Sequence, residues 1–285
     1  MHDMPYLDLG TERMFYSLHG PRTRRPLLFV HGWGGDGGQW LKVIHLLGER
    51  HALAGWIMVP DLRGHGASRC SAPGRDEADL ASGAERYSPR AYARDLATLL
   101  AGLDAGPVIA VGHSMGGQVV TALAVEHPGS VASLVVLDPA YGAGDEEMAR
   151  LPSEQEALLS EGASWAAPFT AAAFSPRTAA WIREREVRQM SSMDPRVLAA
   201  ARHGMYLAPD AFGSSETAAA YLSRCRTPTL GIYSDAAAAE WHRARALHHP
   251  ASEVTVVADS GHFLHLDQPG RVAELLAKWC AEEPV

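Results

Sequence analysis

The chain has 285 residues, 47% of them hydrophobic and 20% charged, with a net charge of −8. That length accommodates one large α/β domain or two smaller ones, and the composition suits a globular chain with a sizeable core rather than a disordered one. Acidic charge argues against general nucleic-acid or anionic-membrane binding, and no apolar run approaches the roughly 18–20 residues of a membrane span.

Met1-His2-Asp3-Met4-Pro5 places no basic stretch before an apolar one, so no signal peptide is expected. The first strand reading falls on Leu27-Leu28-Phe29-Val30, which runs into a Gly-rich loop, and the next on Trp56-Ile57-Met58-Val59, ending at Pro60-Asp61. Residues 69–86 are polar and rich in Gly and Asp, and are expected to form a mobile loop. Ser88-Pro89 then offers a cap and a first-turn proline to a helix whose Tyr92, Leu96, Leu99, Leu100 and Leu103 recur at helical spacing. Further strands are expected at Val108-Ile109-Ala110-Val111, ending at Gly112, and at Leu134-Val135-Val136-Leu137, ending at Asp138-Pro139. Short continuous apolar runs bounded by turn residues read as strands buried on both faces.

The alternation then stops. Residues 140–226 show no strand pattern, are Ala-rich and read as several helices in a separate lobe. It resumes with Thr229-Leu230-Gly231-Ile232-Tyr233, a helix, Val254-Thr255-Val256-Val257, and a last helix carrying Val272, Leu275, Leu276 and Trp279. Strands separated by helices predict right-handed crossovers and a mostly parallel sheet. The expected organisation is a core of residues 1–139 and 227–285 with a helical cap of residues 140–226. Cys70, Cys225 and Cys280 are far apart and lack paired metal spacing, which fits reduced thiols in a cytoplasmic protein.

Gly112-His113-Ser114-Met115-Gly116 follows one predicted strand and opens a predicted helix. In this G-x-S-x-G pattern the turn is so tight that only small residues fit two before and two after the serine, and its oxygen is exposed above the sheet. His31-Gly32-Trp33-Gly34-Gly35 follows an earlier strand and can bring a backbone N–H to the same mouth. An acyl-transfer site needs two such donors for its oxyanion, and the backbones of Met115 and Trp33 are the candidates. His262, in Gly261-His262-Phe263 after the final strand, lies at the carboxyl edge that carries Ser114 and is the candidate base. His31, His65, His113 and His265 read as structural.

The chain resembles the α/β-hydrolase superfamily in four motifs in order: residues 31–35; Asp61-Leu62-Arg63-Gly64-His65-Gly66-Ala67-Ser68; residues 112–117; and residues 261–269. The resemblance implies an α/β-hydrolase fold, with an eight-stranded sheet flanked by helices, a helical cap inserted after the sixth strand, and a nucleophile–acid–histidine order. In most members the acid follows the strand after the cap. Laying Pro228-Thr229-Leu230 on that pattern puts Ala237 at the acid position, with Asp235 two residues early. Certain lactonases, haloalkane dehalogenases and cofactor-free dioxygenases instead carry it at the end of the strand before the cap, where this chain has Asp138. Asp138 is the preferred acid and Asp235 the alternative.

The implied function is a serine hydrolase acting on a carboxylic ester or lactone through Ser114, His262 and Asp138, with no metal or cofactor. A cofactor-free dioxygenase, an acyltransferase, a C–C hydrolase and a binding protein on the same fold are the alternatives. Serine at the elbow argues against the dehalogenase and epoxide-hydrolase branches, which need a carboxylate nucleophile. Trp165, Trp181, Met205 and Tyr206 of the cap are expected to line an apolar pocket for an uncharged, fairly hydrophobic substrate. Expected partners are a small-molecule substrate and, as an open option, further copies of the chain in a homo-oligomer, without nucleic acid or membrane.

Overall fold

The computed structural model describes residues 5–10, 12–22, 25–51, 55–68, 83 and 85–282. Most of the loop expected at 69–86, and Cys70 with it, lies outside the described residues. One sheet of eight strands, in the order β1-β2-β4-β3-β5-β6-β7-β8, forms the centre. The strands are β1 (Tyr6–Asp8), β2 (Arg13–His19), β3 (Leu27–Val30), β4 (Ile57–Pro60), β5 (Val108–His113), β6 (Val131–Leu137), β7 (Thr229–Tyr233) and β8 (Glu253–Val256). β2 runs antiparallel to β1 and β4, and β3 to β8 are mutually parallel.

The parallel strands lie where the apolar runs predict them, because those runs are buried on both faces. Leu28, Val30, Met58, Val108 and Ala110 face one core cluster, while Leu27, Phe29, Ile57, Ile109 and Val111 face the other. The helices α2 (Pro89–Gly102) and α3 (Met115–Glu126) cover the first face, and α1 (Leu41–His51) and the C-terminal helix Pro269–Ala281 cover the second. Ser88 caps α2 as its sequence suggests, its Oγ accepting from Ala91 N at 3.1 Å. β1 and β2 carry no continuous apolar run. Their residues are mostly half-exposed, so the signal used for the inner strands is missing there.

Between β6 and β7 the chain leaves the sheet through α4 (Asp145–Glu161), α5 (Ala163–Ala172), α6 (Ala180–Ser191), α7 (Pro195–Tyr206) and α8 (Ser215–Leu222). The first four form the inserted helical region, knit together by Leu158, Ala166, Met190, Leu198 and Ala199. The fifth returns to the sheet layers, where Ala218 and Leu222 pack with Ala246 beyond α9 (Ala236–Arg245). Among the described residues no helix is long and apolar enough to cross a membrane.

Strand order fixes where a site can form. From β3 the chain crosses to β4 on one side, and β5 then pairs with β3 on the other. Such a reversal leaves a crevice at the carboxyl ends of the two strands, where open α/β sheets bind ligands. The loop after β3 carries Trp33 and the turn after β5 carries Ser114.

Candidate active site

Ser114 caps α3 with φ 53° and ψ −118°, a strained conformation for a residue with a side chain. Close packing imposes it. A Cβ at Gly112 would meet the Gly116 carbonyl oxygen at 2.2 Å, and one at Gly116 would meet the Val30 carbonyl oxygen at 2.4 Å. Only glycine fits at both positions, which is the spacing read from the sequence. Ser114 N donates to Leu137 O at 3.0 Å, and Ala140 N donates to Ser114 O at 3.0 Å. The segment bearing Asp138 therefore holds the elbow from one side.

Asp138 follows β6 with φ 37°, a left-handed conformation that Asp tolerates better than most residues. Its Oδ1 accepts from Ser234 N at 2.8 Å and its Oδ2 from the Ser234 hydroxyl. Oδ2 also lies 3.6 Å from His262 Nδ1. That separation is ion-pair range and longer than a hydrogen bond. Catalytic hydrogen bonds are often long before substrate binds and tighten in the complex. Asp235 lines the same cavity, but its exposed carboxylate accepts from Ala238 N at 2.8 Å and caps α9.

His262 is positioned by contacts its own segment makes with the inserted helices. Its N–H donates to Ala173 O at 2.9 Å, and a Cβ at Gly261 would meet Ser175 N at 2.4 Å. Phe263 stacks on Phe174 with centroids 4.5 Å apart. Buried His113 donates from Nε2 to His262 O at 2.9 Å. Burial, reinforced by neighbouring His265 and His262, holds the His113 imidazole well below its ordinary pKa, so it stays neutral. His265 is also fully buried and stacks on Trp40. His31 accepts from Leu62 N at 2.9 Å and donates to Gly32 O at 2.8 Å, tying the first Gly-rich loop to the second.

That first loop runs against the elbow. A Cβ at Gly32 would lie 3.2 Å from Ser114 Cβ and 2.8 Å from His113 Nδ1. Trp33 reaches across to the inserted helices, where its Nε1 donates to Leu198 O at 2.9 Å. A second tie lies alongside: Gln39 donates to Glu186 Oε2 at 2.7 Å, and Arg185 pairs with Asp36 at 2.5 Å.

Ser114, His262, Asp138 and Trp33 open into one cavity of about 480 Å³. Of the four cap residues expected there, Met205 and Tyr206 line it and the two tryptophans do not. Trp181 is 69% exposed on the outer side of α6. Trp165 is half-buried and stacks on Phe169, 4.9 Å between centroids, behind the cavity wall. Aromatic character alone does not tell which face of a helix turns inward, and both expectations are corrected on that point. Phe169 and Met190 form the wall instead, with Tyr141, Tyr233, Glu147 and Arg202. Arg202 gives a sequence signal in retrospect, as a lone charge directly after Ala199-Ala200-Ala201, all fully buried.

A family model described as the alpha/beta hydrolase family matches residues 27–275. The chain is 37% identical to the lipase LipV of Mycobacterium tuberculosis over 134 residues, 47% of this chain and 42% of that protein. The alignments to the curated relatives it matches span less than half of their length. Among solved structures, a thermophilic esterase from Thermogutta terrifontis superposes with a TM-score of 0.76 at 27% identity, covering 96% of this chain and 95% of that one. The enol-lactonase of Burkholderia xenovorans LB400 superposes with a TM-score of 0.77 at 16% identity, covering 98% and 100%, which is likeness of fold.

Proposed function

The chain belongs to the alpha/beta hydrolase family, and on that premise we propose that it is a serine hydrolase cleaving a carboxylic ester or lactone of a fairly hydrophobic small molecule. The observation that carries this reading is the convergence of Ser114, at a strained strand-to-helix turn, with His262 and Asp138 on one cavity. The likeness to an esterase and to a lipase supports it.

In this reading Ser114 Oγ attacks the substrate carbonyl while His262 Nε2 takes its proton. The tetrahedral oxyanion is received by the backbone N–H groups of Met115, at the first turn of α3, and Trp33. Asp138 faces Nδ1, holds the imidazole in the tautomer that leaves Nε2 basic, and stabilises the imidazolium. Collapse of the intermediate breaks the carbonyl–oxygen bond, and His262 passes the proton to the leaving alkoxide. Water, deprotonated by His262, attacks the acyl-enzyme and releases the acid and free Ser114. Phe169, Met190, Met205 and Phe263 give the wall an apolar part that suits a fairly hydrophobic substrate, beside the polar groups of Tyr141, Glu147, Arg202 and Asp235.

The test is turnover of short-chain 4-nitrophenyl esters and lactones by the wild type and by Ser114→Ala, with oxygen uptake followed in parallel. Hydrolysis that is lost in Ser114→Ala, without oxygen uptake, supports the proposal. Oxygen uptake that survives the substitution overturns it in favour of dioxygenation.

A further inference from the structure

Arg202 is the charged cavity-wall group that the proposed chemistry leaves unused and that, among the described residues, has an N–H group without a partner. It lies on α7 and is only 6% exposed. Its Nη2 donates to Glu154 Oε2. Its Nη1 is buried and has no hydrogen-bond partner among the described residues. A guanidinium keeps its proton at any ordinary pH, so this N–H cannot be neutralised and needs an acceptor. The rings of Trp33, Trp165 and Phe169 surround it, with centroids 5.8, 5.1 and 5.3 Å from Cζ. Their π faces attract the charge and fix the plane of the group, but leave the in-plane N–H bond of Nη1 unmade.

Local charge decides what acceptor fits. Glu154 already pairs with Arg202, and Glu147 lines the same cavity. Tyr206 beside them stays a neutral phenol, its pKa raised by burial and then by Glu147. Asp138, Glu147 and Asp235 line the cavity against the single guanidinium of Arg202, so an anionic group would meet repulsion that a neutral carbonyl oxygen avoids.

We propose that Arg202 is a specificity residue whose guanidinium donates to a second, uncharged carbonyl oxygen of the substrate. The preferred ester or lactone then carries a keto or amide carbonyl at a distance from the scissile one. The inference rests on the hydrolase reading above and narrows its substrate class.

The test compares 4-nitrophenyl esters of hexanoic acid, of its 3-, 4- and 5-oxo derivatives, and of adipic acid with its free carboxylate. The readout is the ratio of kcat/KM values. At least one oxo ester is expected to exceed the hexanoate by about tenfold, the scale of a hydrogen bond from a charged donor, with the adipate ester below both. Arg202→Met combined with Glu154→Gln leaves no buried charge unpaired, and is expected to bring the oxo-to-hexanoate ratio to about one. Arg202→Lys, which keeps the charge beside Glu154 but not the planar fork, lowers the ratio as well. A hexanoate preferred over every oxo ester, an oxo preference that survives both variants, or a preferred adipate ester overturns the proposal. If no ester is turned over, the hydrolase reading fails separately, and binding of methyl oxohexanoates and methyl hexanoate to Ser114→Ala protein decides. Tighter binding of an oxo ester that depends on Arg202 supports the proposal, and equal binding overturns it.

Discussion

His262 Nδ1 lies 3.6 Å from Asp138 Oδ2, and Ser234 holds the same carboxylate through its backbone N–H and its hydroxyl. The aspartate is thus fixed in place before the imidazole approaches it. Asp235, only one residue beyond Ser234, is spent on capping a helix.

Asp138→Asn is expected to lower kcat on the order of 10⁴-fold, because the histidine then adopts the wrong tautomer. Asp235→Asn is expected to leave kcat within about tenfold and the melting temperature nearly unchanged, since Asn caps a helix as well as Asp. Steady-state kinetics on both variants give the ranking. The reverse order would assign the acid to the strand after the inserted helices.

Ser234→Ala removes the hydroxyl donor to Asp138 and keeps the backbone one. A loss of about tenfold in kcat, roughly 1.4 kcal/mol, with KM little changed is the expected result. An unchanged kcat would mean that the backbone N–H alone orients the carboxylate.

Gly32→Ala would put a methyl group 2.8 Å from His113 Nδ1 and 3.2 Å from Ser114 Cβ. The loop bearing the Trp33 N–H must then move away from the elbow. A fall of about 10²-fold in kcat, with the circular dichroism spectrum retained, is expected for a displaced oxyanion donor. Full activity would argue against Trp33 N–H as that donor.

Stability is expected to fall in mild acid. Burial lowers the pKa of His65, His242 and His265 from 6.5 to about 3, and pushes His113 well below 6.5. Because the folded-state values are depressed, the unfolded chain takes up these protons first. The stability tied to the neutral imidazoles is complete above about pH 6.5 and is lost as pH falls from there towards 3. Each such histidine can remove up to about 1.4 kcal/mol per pH unit in that window. Urea midpoints at pH 7.5, 6.5 and 5.5 check this, with His265→Phe expected to flatten the fall by one proton's share. Equal midpoints at pH 7.5 and 5.5 would contradict it.

The inner strands, the elbow and the histidine loop were legible in the sequence because each has a local cause. Leu27 to Val30 is continuous apolar sequence buried on both faces, and Gly112 and Gly116 stand where a Cβ would strike backbone. Asp138 was legible only through spacing against a resemblance, since its meeting with His262 joins segments far apart in the chain. Arg13–His19 was not legible, because a half-exposed antiparallel strand carries no continuous apolar run. The cap was read as helical, but Trp165 and Trp181 were indistinguishable from Met205 and Tyr206 without the rotation of each helix. Arg202 was missed because its significance lies in an unmade bond, which only the packing reveals.

The most direct test of Ser114 as the nucleophile is peptide mass spectrometry after treatment of the folded chain with a fluorophosphonate. A single adduct on the peptide containing Ser114, absent in Ser114→Ala and slowed in His262→Ala, is the predicted result. An adduct on another residue, or none on the folded wild-type chain, would contradict the account.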